Sequence, residues 1–239
     1  MSPETTDRSS IPGRRVAVIV AAYNEGARIE ATLEALAAAF PGAPIWVGDD
    51  GSTDATAPLA RRAGARVVGG GRTIGKGAIA TLAAREALED ARKSYDEPIF
   101  LLCDGDLGAS AGRLGALVDA VESGAVEIAV AAFAARVGGG VGLAVGFARW
   151  AIRRRCGLEL RAPISGQRAL RARVLEDVLP FAPGFGMEIG ITIDAVRAGH
   201  RIAEVELDLD HRTTGRTLSG FLHRARQLLD FVRVYIARR

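Results

Sequence analysis

The sequence predicts an α/β protein with a mainly parallel sheet flanked by helices, closed by a C-terminal amphipathic helix. Three observations predict it. Short apolar runs, of the kind a strand buried on both faces requires, recur through the first half of the chain. Each run is followed by a segment with helical spacing. The polar and charged residues gather just after the runs, where open α/β sheets bind ligands.

Residues 16–21 are a continuous apolar run and read as the first strand. Residues 27–40 have helical spacing, with Ile29, Leu33, Leu36 and Phe40 on one face, and Pro41-Gly42 ends them. Strands are expected at 45–47, 66–68, 98–103 and 126–132, and helices at 54–63, 75–91 and 111–122. The second half is less regular. A glycine-rich stretch at 138–146 leads into a basic helical run at 147–155, and Ser165-Gly166-Gln167 reads as a turn. Helices are expected at 171–179 and 187–198. Residues 202–209 alternate apolar and polar positions, the pattern of a half-exposed strand. Residues 218–239 form the closing amphipathic helix, with Phe221, Leu222, Ala225, Leu228, Leu229, Val232 and Ile236 as one apolar stripe.

The 239 residues suit one domain over 14–217 with a short extension, and 49% hydrophobic residues supply a core. Aromatic residues are only 5% of the chain, too few for a protein that stacks single-stranded bases. A net charge of +3 is an ordinary solvated surface rather than a nucleic-acid footprint. Two cysteines, Cys103 and Cys156, make neither a disulfide framework nor a zinc set, which points to a reducing, cytoplasmic compartment. Residues 1–13 are polar and read as a disordered tail. No stretch reaches the ~18 apolar residues of a spanning helix, so membrane contact is expected only at the periphery.

Six motifs are candidates for chemistry. Ala22-Tyr23-Asn24-Glu25 follows the first strand, where Asn24 also suits a helix cap. Asp49-Asp50-Gly51-Ser52-Thr53-Asp54 follows the second. A helix cap accounts for Ser52 to Asp54 but not for two adjacent carboxylates at a strand end. One of these is expected to accept hydrogen bonds from a base or ribose. The loop 69–77 opens a helix and carries Lys76, one of only two lysines, as a point charge for phosphate. It nearly matches the P-loop pattern, but Gly77 stands where that pattern needs Ser or Thr. Asp104-Gly105-Asp106 follows a buried strand. Carboxylates there call for a cation, and a hard divalent ion bridging diphosphate oxygens is the natural one. Glu188 opens a helix, as a general base or as a first-turn acid that complements the helix dipole. In Asp210-His211-Arg212, a lone histidine after a strand is usually structural; beside a metal or diphosphate site His211 becomes a candidate ligand, with Arg212 or Arg216 to steady phosphate oxygens.

These motifs, in this order, resemble family 2 glycosyltransferases of the GT-A fold, over residues 14–217. Within that family the chain is similar to the polyprenyl-phosphate branch, typified by dolichyl-phosphate mannose synthase. Gly184-Phe185-Gly186-Met187-Glu188 and Asp210-His211-Arg212 also look like glucosyl-3-phosphoglycerate synthases. The resemblance implies a nucleoside-diphosphate sugar donor bound by Ala22, Tyr23, Glu25, Asp50, Lys76, Asp104 and Arg212. It implies Mg2+ or Mn2+ at Asp104, Asp106 and His211, with Glu188 and Asp106 as catalytic residues. The expected reaction is sugar transfer to a polyprenyl phosphate at a membrane surface, with a soluble hydroxyl acceptor such as a phosphoglycerate-like molecule as the alternative. A lipid-phosphate acceptor fits a basic C-terminal helix on the inner face of a membrane, and a second copy of the chain is a further candidate partner. A sugar-phosphate nucleotidyltransferase would instead carry a glycine- and arginine-rich loop after the first strand, where this chain has Ala22-Tyr23-Asn24-Glu25.

Overall fold

A computed structural model describes residues 15–133, 143–209 and 218–238; at Phe133, Leu143 and 218–227 it describes the backbone alone. A seven-stranded sheet organises the chain. Its strands are β1 (Val16–Ala22), β2 (Ile45–Asp49), β3 (Arg66–Gly69), β4 (Ile99–Asp104), β5 (Ile128–Phe133), β6 (Arg168–Arg171) and β7 (Ile202–Leu207), in the order β3-β2-β1-β4-β6-β5-β7. The pairs among β1 to β4 and the pair β5–β7 are parallel, while β6 runs antiparallel to both β4 and β5.

β1 shows why the sheet is buried on both faces. Val16, Val18 and Val20 point to one side and Ala17 and Ile19 to the other, the two-residue alternation of a strand. On the first side lie α1 (Ile29–Ala39) and α4 (Gly115–Glu122), through Ile29, Leu33, Leu36, Leu117, Val118 and Val121. The second side is covered by α3 (Lys76–Ala91), α6 (Ala172–Val178) and α7 (Met187–Arg197). The small side chains Ala80, Ala83, Ala84 and Ala87 bring α3 close to the strands. A short α2 (Thr56–Arg62) links β2 to β3.

Several sequence expectations change. The four residues of β6 carry no apolar run, and the region reads as a turn followed by a helix. Pairing with two neighbouring strands, rather than local pattern, makes it a strand. The helix expected at 111–122 begins as a 3-10 helix, Gly108–Leu114, before α4. α5 (Leu143–Cys156) is longer than the basic run that announced it. The disordered tail expected at 1–13 lies outside the described residues, as does most of the glycine-rich stretch.

α8 (Leu218–Ala237) is present, but its described side chains are turned differently from the expected stripe. Phe231 and Val234 are buried against Ala148, Ile152, Ile189 and Ile193 of α5 and α7. Arg238 grips Asp194 of α7 with two guanidinium nitrogens, at 2.7 and 2.6 Å. Leu229 and Ile236 of the stripe are instead 57% and 51% exposed. The C-terminal half of α8 is therefore part of the core. Among the described residues, no helix is long and apolar enough to cross a membrane.

Candidate active site

The carboxyl ends of β1, β2 and β4 lie side by side because the three strands are parallel neighbours. The first two motifs are joined there by hydrogen bonds. The Asn24 backbone N–H donates to Ser52 Oγ at 2.9 Å, and Asn24 Oδ1 accepts from the Thr53 N–H at 2.9 Å. The Glu25 N–H donates to Thr56 Oγ1 at 2.8 Å and the Gly26 N–H to Asp54 Oδ2 at 2.9 Å. Asn24 thus reaches across to the second motif instead of capping α1. Ala22 is buried beneath this turn, while the Tyr23 ring stands 50% exposed above it.

Asp50 is buried. Its Oδ1 accepts the backbone N–H groups of Ile74 at 2.7 Å and Gly75 at 2.9 Å. In this state the carboxylate holds the loop that opens α3. The same loop excludes a P-loop on steric grounds, since a Cβ at Gly77 would run into the Ala182 carbonyl and leaves no room for Ser or Thr.

Lys76, the first residue of α3, is where three motifs meet. Its Nζ lies 2.7 Å from Asp104 Oδ1 and 2.8 Å from Glu188 Oε1. Burial alone would depress the lysine, but Asp104 and Glu188 outweigh it and hold Lys76 above the usual lysine range, so it is charged at any working pH. Glu188 is buried in the first turn of α7. The other oxygen of Asp104, Oδ2, accepts from Gln167 Nε2 at 2.9 Å. Gly166 allows this approach, because a Cβ there would sit 2.7 Å from Asp104 Oδ2 and 3.1 Å from Lys76 Nζ.

The turn after β4 is held from below. The Thr32 hydroxyl donates to the Gly105 carbonyl at 2.9 Å, and Arg28 Nη1 donates to the Asp106 carbonyl at 3.1 Å. Burial pushes the Cys103 thiol well up, and the Asp104 and Asp106 carboxylates add to that push, so both charges bear on this strand end. Two carboxylates a residue apart are the hard oxygen donors that Mg2+ and Mn2+ take. Among the described residues no three His, Cys, Asp or Glu side chains group to hold an ion. His211 and Arg212, the further metal and phosphate candidates, lie outside the described residues.

The structure thus brings Lys76, Asp104 and Glu188 into direct contact, with Asp106 on the adjoining turn. Sequence reasoning missed Gln167 as a partner of Asp104. It also missed Arg168, which is completely buried two residues beyond Gly166. An arginine directly after a polar turn carries no local sign of burial, so no sequence signal was available for it.

Comparison with known proteins places this architecture in a class. Glycosyl transferase family 2 matches residues 17–179, and the chain belongs to that family. A glucosyl-3-phosphoglycerate synthase of Mycobacterium tuberculosis is 31% identical over 223 residues, covering 82% of this chain and 65% of the synthase. The chain therefore spans just under two thirds of that relative's length. An uncharacterized glycosyltransferase of Mycobacterium bovis is 30% identical over 239 residues, covering 93% of this chain and 98% of its own length. A crystal structure of the M. tuberculosis synthase in complex with Mn2+, uridine-diphosphate-glucose and phosphoglyceric acid aligns with a TM-score of 0.71. It is 30% identical and covers 95% of this chain and 80% of that one. The similarities to the synthase are to the second of the two enzyme groups that the motifs resemble.

Proposed function

We propose that this protein transfers a sugar from a nucleoside-diphosphate sugar to the hydroxyl of a small phosphorylated acceptor. The observation that carries the reading is the contact of Lys76 with both Asp104 and Glu188 at the carboxyl end of the sheet. One cation there touches a donor-side carboxylate and an acidic residue suited to the acceptor. The mycobacterial synthase structures, with uridine-diphosphate-glucose and either phosphoglyceric acid or glycerol 3-phosphate, support the substrate classes.

In this reading Asp104 and Asp106, with His211, hold Mg2+ or Mn2+. The ion supplies positive charge against the diphosphate of the leaving nucleotide. The exposed Tyr23 ring offers a face to the base, with Ala22 and Glu25 beside it, and Asp50 keeps the 70–75 loop in place for the ribose and diphosphate. Lys76 turns part of its charge from Asp104 and Glu188 to the donor phosphates, with Arg212 as a second cation. That frees Glu188 to accept the proton of the attacking hydroxyl.

The test is an incubation with uridine-diphosphate-glucose, Mn2+ and either 3-phosphoglycerate or glycerol 3-phosphate, read by mass spectrometry. A product heavier than the acceptor by one hexose is expected, together with released uridine diphosphate. Transfer to a polyprenyl phosphate in vesicles but to neither small acceptor overturns the reading.

A lipid-phosphate acceptor is the second reading, and one observation favours it. Trp150 of α5 is 45% exposed beside Tyr235 of α8, and Leu229 and Ile236 of α8 are also exposed. Exposed arginines, Arg149, Arg153, Arg154 and Arg233, stand on the same two helices. Apolar side chains among cations suit an anionic membrane surface.

A further inference from the structure

We propose that Arg168 is a positioning residue for the donor and metal site, acting through a closed ring of polar contacts that it completes from inside the protein. The ring runs as follows. Asp104 Oδ1 meets Lys76, and Lys76 meets Glu188. The Glu188 carbonyl accepts the Thr192 hydroxyl at 3.0 Å, and that hydroxyl accepts Arg168 Nη1 at 2.9 Å. Arg168 Nε donates to the Ser165 carbonyl at 2.9 Å. Ser165 Oγ donates to Gln167 Oε1 at 3.1 Å, and Gln167 Nε2 returns to Asp104 Oδ2.

Each link has a directional consequence. The Ser165 hydroxyl fixes the Gln167 amide so that its NH2 group, not its oxygen, faces the Asp104 carboxylate. Arg168 Nη2 also reaches the Pro163 carbonyl at 3.3 Å, so one guanidinium spans the 163–167 loop and α7. That loop brings Gly166 and Gln167 to Asp104, and α7 brings Glu188 to Lys76. Arg168 therefore sets the spacing between the two carboxylates that share the Lys76 ammonium.

The position of Arg168 makes it rigid. Its backbone lies in the middle of the sheet, opposite Leu102 of β4 and Val130 of β5, and its side chain is fully buried. Burial lowers its pKa to about 10, with Glu188 and Glu204 opposing, so the guanidinium is charged at neutral pH. No carboxylate forms a salt bridge with it among the described residues; three carbonyl and hydroxyl oxygens satisfy it instead. Burying an arginine with no carboxylate in direct contact is costly, which packing alone explains poorly. Groups that orient metal ligands typically matter by ~10–100-fold in metal affinity or activity.

The inference rests on the reading of Asp104 and Lys76 as part of the donor site. The test is calorimetric affinity for uridine diphosphate in the presence of Mn2+, without acceptor. Arg168→Lys keeps the charge but cannot span all three oxygens, and is expected to weaken binding ~10–100-fold. Thr192→Val keeps Arg168 and removes one link, and a smaller loss in the same direction is expected; it also serves if Arg168→Lys does not fold. Ile193→Ala, a core truncation on the same helix, controls for stability. Wild-type affinity in both ring variants overturns the proposal, as does an equal loss in Ile193→Ala. A wild-type chain that binds no uridine diphosphate with Mn2+ brings down the donor reading itself, and the proposal with it.

Discussion

Gly166 and Asp106 show how single residues bear on the candidate site. With a Cβ at Gly166 predicted to fall 2.7 Å from Asp104 Oδ2, something must shift, and the flexible partners are the Asp104 carboxylate and the Lys76 ammonium. Gly166→Ala is therefore expected to weaken Mn2+-dependent nucleotide binding by ~10-fold or more while the melting temperature changes little. Unchanged affinity by calorimetry places the glycine outside the site. Asp106→Ala is expected to lose most sugar transfer with its circular dichroism intact, because the contact of its backbone carbonyl with Arg28 remains. Full turnover of the wild type in excess EDTA refutes the metal assignment. For Glu188→Gln the expected loss in kcat is ~10²–10⁴-fold, the usual worth of a general base, with donor affinity within a few-fold of wild type. A small kcat loss favours a phosphate acceptor, which needs no base. Lys76, Asp104 and Glu188 were each legible as candidates, since charged residues at strand ends and helix starts stand out in a sequence. Their mutual contact was not, because Lys76 and Glu188 are 112 positions apart.

At the scale of elements, the site depends on loops held by carboxylates. Asp50 accepts two backbone N–H groups at the start of α3, so Asp50→Ala leaves Ile74 and Gly75 without a side-chain acceptor. Hydrogen exchange at 70–75 is expected to quicken and donor affinity to fall, with ~1–3 kcal/mol of stability lost. Wild-type exchange in that loop sinks this account. Glu127, just before β5, binds Arg201, just before β7, through the Arg201 N–H at 2.9 Å and side-chain nitrogens at 3.1 and 2.7 Å. The Arg201 hydrogen bonds hold the Glu127 carboxyl at about 2, against burial. A depressed folded-state value means the stability is present above the ordinary glutamate range, near 4.5, and is lost as pH falls toward about 2. Glu127→Gln is expected to flatten the fall in melting temperature between those two values. A wild-type slope in the variant removes Glu127 from acid unfolding. β7 was legible as a half-exposed strand from its alternation, whereas β6 was not. Four residues without an apolar run become a strand only when β4 and β5 offer their free edges.

For the whole molecule, the question is what meets the outer surface of α5 and α8. The buried Phe231 and Val234 and the Arg238–Asp194 pair make the C-terminal half of α8 part of the core, so removing the helix would test stability rather than membrane contact. Point changes on the exposed side are the cleaner test. Under the lipid-acceptor reading, the full chain is expected to co-sediment with anionic vesicles at low salt and to detach as salt rises. The paired substitution Leu229→Glu and Ile236→Glu should abolish sedimentation with the fold retained. Absence of vesicle binding removes the second reading. A dimer by light scattering that the same pair disrupts assigns the surface to a second copy of the chain.

The α/β class, the approximate place of most elements and the candidate residues of the site can be read from the chain alone. Those properties are local: apolar periodicity reports which face of a segment is buried, and charges at strand ends report where a ligand belongs. Long-range packing is what joins Asp104 to Glu188 through Gln167 and Arg168, brings β6 into the sheet antiparallel, and turns Phe231 of α8 inward and Leu229 outward. Each of these depends on which distant segments meet, and a helical or strand period carries no information about its partner. On α8 the apolar positions extend nearly around the described half of the helix, so periodicity alone could not choose the buried face; α5 and α7 chose it by offering Ala148, Ile152, Ile189 and Ile193 to Phe231 and Val234.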